Sequence, residues 1–208
     1  MNNREFIMLK DEAALLNPKI RFIQRVTDVF TFIKALIKNP RATGAILPSS
    51  NRLAKEMASH VSLKKDELIV ELGAGTGVVT GALIAAGIHP SKIIAIECSP
   101  ILAKKLCERY PGVQVIEGDA AELLSLLGNK SAQVKTVISG LPLRSLSKVT
   151  AQTILHQISN LLISGGKYIQ FTYQYKQNLF FSPICFKRKS SKMIWRNMPP
   201  ARVDVFEV

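Results

Sequence analysis

The chain has 208 residues, 47% apolar and 21% charged, enough to bury a sizeable core and too apolar for global disorder. Its 28 Lys and Arg against 15 Asp and Glu leave a net charge of +13, which suits an anionic partner: nucleic acid, an anionic membrane or acidic substrates. No run of about 18 apolar residues offers a bilayer-crossing helix. Three cysteines without metal spacing, and no secretory pattern at Met1–Glu5, suit reduced cytosolic thiols rather than a disulfide scaffold.

The charge is unevenly spread. Residues 1–65 carry +7, residues 66–175 carry +1, and residues 176–208 carry +5. The middle is nearly neutral, and the two ends hold the positive field.

Residues 1–47 read as an N-terminal helical extension, and residues 48–208 as one α/β domain. On a wheel of 100° per residue, Ile23, Val26, Val29, Phe30, Ile33, Leu36 and Ile37 share one arc of residues 19–38. Gln24, Thr27, Asp28, Thr31 and Ala35 lie opposite. Arg21 and Arg25 flank one edge of the apolar arc, and Lys34 and Lys38 the other. Such a helix suits a lipid headgroup layer, its basic stems snorkelling to water. The same apolar face could instead pack on the following domain. Asn39-Pro40 marks a helix stop, and Ser49-Ser50-Asn51 could cap a helix running to about Val61.

Next comes a regular alternation. Glu67–Leu72 reads as a buried strand, followed by the glycine-rich Gly73–Gly77 and a helix to about Ala86. Lys92–Glu97 is a second strand, and Ser99-Pro100 opens a helix with proline in its first turn. Val113–Glu117 is a third strand, Ala120–Leu127 a short helix, and Val134–Ser139 a fourth strand. Ser147–Ile163 is a helix ended by Gly165-Gly166, and Lys167–Tyr175 a fifth strand. This spacing predicts a parallel sheet with helices on both faces, and ligands at the carboxyl ends of its strands. Lys192–Arg196 and Arg202–Glu207 would close the chain as an antiparallel pair at one edge.

Candidate site residues fall at those carboxyl ends. Glu71-Leu72-Gly73-Ala74-Gly75-Thr76-Gly77 joins strand to helix, with glycines that allow a tight turn and close backbone approach. Glu97 ends the second strand, where a carboxylate can accept both hydrogen bonds of a ribose diol. Asp119, in Gly118-Asp119-Ala120, follows the third strand, where it could bind an adenine amino group. Glu71 could hold a cationic amine. The spacing is G-x-G-x-G, and Val78 stands where a dinucleotide fingerprint needs glycine. A pyrophosphate would also gain nothing from Glu71. A ligand bearing an ammonium, a ribose and an adenine fits the set, and that ligand is S-adenosylmethionine.

With Glu71–Gly77, Glu97 and Gly118-Asp119-Ala120 in this order and spacing, the sequence resembles the class I methyltransferases over about residues 48–175. The resemblance implies a Rossmann-like seven-stranded sheet with a reversed last strand and helices on both faces. It implies cofactor contacts from Glu71, Gly73, Ala74, Gly75, Thr76, Gly77, Glu97, Asp119, Ala120 and Gly140. It implies no metal.

The methyl acceptor is read from the segment after the fourth strand, Ser139-Gly140-Leu141-Pro142-Leu143. Enzymes of this superfamily that methylate a base amine carry a polar residue where Gly140 stands and an aromatic where Leu143 stands, to bind and stack a flipped base. Both are lacking, so adenine methylation of ribosomal RNA is kept as the alternative. A closer resemblance, over nearly the whole chain, is to the bacterial phospholipid N-methyltransferases. It rests on Phe32–Pro40, Gly44–Ser50, Ser139–Leu143, Gln170-Phe171-Thr172-Tyr173 and Asn197–Val203. It implies methyl transfer from S-adenosylmethionine to the amine of phosphatidylethanolamine, towards phosphatidylcholine, by a peripheral protein at the cytoplasmic membrane face. A phospholipid substrate and an anionic membrane surface are the expected partners, through residues 19–38 and 179–192, with no nucleic acid. In the second segment, Leu179–Phe186 would insert aromatics while Lys187-Arg188-Lys189 and Lys192 hold phosphate. Tyr173 and Tyr175 are the candidate catalytic residues, as hydroxyls that orient the amine or faces that hold a quaternary ammonium.

Overall fold

The computed structural model describes residues 51–162, 165–172, 186–195 and 200–208, all within the unit Pro40–Val208. Residues 51–59 are helical (α1). Five parallel strands follow: β1 Leu68–Leu72, β2 Ile93–Glu97, β3 Gln114–Glu117, β4 Val134–Ser139 and β5 Lys167–Thr172. Helices α2 Val78–Ala85, α3 Pro100–Arg109, α4 Leu123–Leu127 and α5 Lys148–Leu161 make the crossovers. β6 Lys187–Ile194 and β7 Ala201–Glu207 complete a seven-stranded sheet of order β3-β2-β1-β4-β5-β7-β6. β7 runs antiparallel to both neighbours.

β1 and β2 are buried along their whole length, because helices cover both faces of a parallel sheet. Alternation then divides one strand between two cores. Leu68, Val70 and Leu72 face a cluster with Leu123, Ile154 and Ile158 from α4 and α5. Ile69 faces a second cluster with Leu53 and Met57 of α1, Leu83 of α2 and Leu106 of α3. Burying each such aliphatic side chain stabilises the fold by about 1.5–3 kcal/mol. Among the described residues no helix is long and apolar enough to cross a membrane.

Two readings of the tail change. The sixth strand begins at Lys187, not Lys192, and runs through the basic cluster that is expected to hold phosphate. Lys189 pairs with Glu207 at 2.8 Å, and Lys192 reaches Glu56 of α1 at 2.7 Å. A charged edge strand of this kind blocks pairing with other chains. Phe186, the last aromatic of the segment expected to insert, is buried against Tyr168 and Phe206. Residues 19–38 and 179–185, and Tyr173 and Tyr175, lie outside the described residues.

Candidate active site

The order of the sheet changes direction beside β1, with β2 on one side and β4 on the other, and a ligand crevice opens there at the strands' carboxyl ends. β1 leads into the glycine loop, whose three glycines all have positive φ: 68° at Gly73, 56° at Gly75 and 79° at Gly77. Gly73 and Gly77 are also fixed by packing. A Cβ on Gly73 would stand 2.5 Å from Leu141 Cδ2, and one on Gly77 would stand 2.7 Å from Leu106 Cδ1. Gly75 differs: a Cβ there would meet only the Gly73 carbonyl, at 3.9 Å. The loop is therefore packed from below at its two ends and open at its middle, a cradle for a ligand.

Glu97 is 3% exposed and held from both sides. Its Oε2 accepts from the Gly75 amide at 2.8 Å, and its Oε1 from the Ser99 amide at 2.9 Å. The Cys98 thiol donates to Oε1 at 3.6 Å. Burial first, and then the Glu97 charge, push that thiol up to about 12, so it stays protonated. A carboxylate offers about four acceptor positions; the two amides take two of them, and the long thiol contact holds a third only weakly, so Glu97 keeps room for ribose hydroxyls. The sequence missed these backbone donors, which keep the carboxylate from turning.

Glu71 is 1% exposed, and its Oε2 accepts from the Thr80 hydroxyl at 2.6 Å. Burial raises its pKa to about 7, against hydrogen bonds from Thr80 that lower it; the nearby Glu97 charge adds a smaller rise. A buried acid poised at neutrality is completed by a cation. Asp119 caps the turn after β3, its Oδ1 accepting from the Ala121 amide at 2.9 Å, and Ala120 is buried beside it. Thr76 sits at the loop's exposed side, its carbonyl accepting from Arg109 at 3.0 Å, while Ala74 is buried.

Gly140 completes the crevice from the β4 side. Its amide donates to the Leu72 carbonyl at 2.8 Å, and a Cβ would stand 2.9 Å from the Gly73 carbonyl oxygen. Backbone thus packs directly on backbone. Leu143 is 5% exposed and belongs to the core. It occupies the position from which an aromatic would stack a base. Gln170 then secures the loop, its amide donating to the Leu141 carbonyl at 3.1 Å while its oxygen accepts from the Tyr168 hydroxyl at 2.6 Å. Burial pushes the Tyr168 phenol well above its ordinary range, against a Ser139 side-chain hydrogen bond that lowers it, so the phenol stays protonated and can donate to Gln170. Gln170 entered the sequence reading only within the resemblance segment Gln170–Tyr173, and Tyr168, like Tyr110 at the end of α3, was not singled out. Their signal, a polar tip on a residue inside an apolar pattern, is common to many core positions. Among the described residues no group of His, Cys, Asp and Glu could hold a metal ion.

An acid below a glycine cradle, a clamped acid on β2 and a capped acid on β3 suit an ammonium, a ribose and an adenine in turn. The methyltransferase-domain family matches residues 69–166. The ornithine lipid N-methyltransferase of Singulisphaera acidiphila is 31% identical over 184 residues, which cover 84% of this chain and 93% of that one. The chain belongs to the class I S-adenosylmethionine-dependent methyltransferases. A ribosomal RNA small subunit methyltransferase A of Thermotoga neapolitana is 34% identical, over only 38% of this chain and 30% of its own length. The fold matches the 1,6-didemethyltoxoflavin-N1-methyltransferase of Burkholderia thailandensis, solved with S-adenosylhomocysteine, with a TM-score of 0.65 at 14% identity over 88% of each chain. The cofactor of this methyltransferase is S-adenosylmethionine.

Proposed function

We propose that this methyltransferase acts on the headgroup amine of a membrane lipid, with phosphatidylethanolamine as acceptor, at the inner face of the cell membrane. The observation that carries the reading is the extent of the match to a lipid N-methyltransferase, which runs through the acceptor loop as well as the cofactor motifs. The acceptor loop agrees with it: Gly140 has no polar side chain for a base amine, and Leu143 is core rather than a stacking platform. A second reading is favoured by the name of that relative, in which the acceptor is the amine of an ornithine lipid. The shared chemistry is a primary amine on a lipid headgroup.

Bound S-adenosylmethionine supplies an electrophilic methyl on a sulfonium sulfur. The chain's own residues orient and shield. Glu97 and Asp119 fix the nucleoside, Glu71 answers the cationic end, and the Gly140 backbone brings the acceptor loop against the glycine cradle. To accept a methyl the amine would have to be neutral, so its ammonium proton would pass to solvent water before transfer. Tyr173 and Tyr175, two positions apart in the sequence, carry the proposed role of orienting the amine.

Labelled S-adenosylmethionine offered with phosphatidylethanolamine, ornithine lipid or small-subunit ribosomal RNA tests this directly. Label in phosphatidylethanolamine is expected. Label in ornithine lipid alone moves the acceptor to the second reading, and label in RNA alone overturns both.

A further inference from the structure

Three large apolar side chains stand exposed among the described residues: Ile101 at 64%, Val149 at 58% and Trp195 at 62%. All three lie at one end of the sheet. Ile101 is the second residue of α3, just past the carboxyl end of β2. Val149 is the second residue of α5, which opens soon after the loop that follows β4. Trp195 follows Ile194, the last residue of β6, which pairs with Ala201. That pair lies one step beyond Thr172–Arg202, the last pair of β5 with β7. Trp195 therefore stands past the carboxyl ends of the parallel strands, about 19 Å along the sheet from β1 at four strand spacings. The opposite end of the sheet presents no large exposed apolar side chain among the described residues.

A lipid constrains where its enzyme must sit. Its amine cannot leave the bilayer without drawing acyl methylenes into water, and each one costs free energy. The mouth of the crevice must therefore press on the headgroup layer, and its rim is what touches first. We propose that Ile101, Val149 and Trp195 are the tips by which this rim seats on an anionic bilayer. Tryptophan favours the headgroup level, where its ring is half apolar and its N–H stays wet. Lys148 precedes Val149 at the start of α5 and Arg144 lies in the turn before it, and the +5 carried by residues 176–208 around Trp195 suits a negative surface. This rests on the lipid-amine reading, and it adds a docking face made by the catalytic domain itself.

Trp195 is the single tryptophan of the chain, so its fluorescence reports this face alone. The full chain is mixed with vesicles of phosphatidylethanolamine and phosphatidylglycerol. The emission is expected to move to shorter wavelength, lose accessibility to aqueous acrylamide, and be quenched by lipids brominated on their acyl chains. Ile101→Ser with Val149→Ser keeps the reporter and should weaken vesicle affinity by about tenfold. Trp195→Ala should lose activity on vesicles while keeping it on lipid dispersed in detergent micelles. An unchanged emission on vesicles that carry the protein down in a sedimentation assay overturns the proposal. So does a shift that follows protein concentration without vesicles, which would mark a face between two copies. A shifted emission with no label on micellar lipid supports the docking face and overturns the lipid acceptor, so the two failures are distinguishable.

Discussion

The phenol of Tyr110 donates to the carbonyl of Gly77 at 2.8 Å, although the two residues lie 33 positions apart. The same ring blocks any side chain at Gly77 and Gly81, and the Arg109 guanidinium lies over it at 5.2 Å. The end of α3 thereby sets the height of the cofactor loop. Tyr110→Phe should cost about 1 kcal/mol of stability through the lost hydrogen bond. Tyr110→Ala should cost about 3 kcal/mol through the cavity it leaves, and it should weaken S-adenosylmethionine binding more than Tyr110→Phe does. Urea unfolding paired with calorimetric titration separates the two. Equal losses for both variants would mean that the ring does not support the loop.

Gly75 and Gly77 should respond differently to the same added methyl. Both need positive φ, so alanine at either strains the backbone by about 1–2 kcal/mol. Only Gly77 is also walled in, by Leu106 and Tyr110. Gly77→Ala should lower the melting temperature well beyond the effect of strain. Gly75→Ala should lower the melting temperature only by that strain and lose about tenfold or more in cofactor affinity, because its methyl projects into the cradle. Unchanged cofactor affinity in Gly75→Ala would remove the cradle from the ligand's path.

Glu71 gives the apo protein a pH signature. Its pKa rises from 4.5 in the unfolded chain to about 7 in the fold, so the folded state holds the extra proton between these values. Stability then falls as pH rises through that window, by up to about 3 kcal/mol from this group. A cationic ligand favours the ionised acid, so S-adenosylmethionine should bind more tightly above pH 7 than below it and release a proton on binding near pH 6. Calorimetry in buffers of different ionisation enthalpy reads that proton. Glu71→Gln should flatten both profiles, and a wild-type profile in that variant would place the titrating group elsewhere.

Much of this could be read from the sequence, and the misses share a cause. The central strands β1, β2 and β4 announce themselves as apolar runs because both their faces are buried, as at Leu68–Leu72. Glu71, Glu97 and Asp119 were legible as candidates because each lies at or just past the carboxyl end of a strand, so topology brings them to one end of the sheet. β6 was misplaced because Lys187–Lys192 is polar on both faces, as an exposed edge strand allows, and so has no alternation to read. The grip of Gly75 on Glu97 and of Tyr110 on Gly77 spans 22 and 33 positions, and local pattern says nothing about such pairs.

Gln170 links the core to the acceptor loop and should separate stability from turnover. Its amide oxygen is an acceptor for Tyr168, which is 1% exposed, and its nitrogen holds the Leu141 carbonyl. Gln170→Leu takes away the acceptor of the buried Tyr168 hydroxyl, at a cost of about 1–3 kcal/mol, and frees the loop from β5. Adding Tyr168→Phe removes the stranded donor, so the double variant should regain most of the lost stability. It should not regain turnover, because Leu141 still lacks its tether and the loop that faces the acceptor is no longer fixed against Gly140 and Gly73. Cofactor affinity should change little in either variant, since Glu97 and Asp119 hang on other strands. Thermal unfolding, calorimetry and lipid labelling on the two variants test this together. Full recovery of turnover in the double variant would mean that the loop is held by the Gly140–Leu72 backbone bond alone.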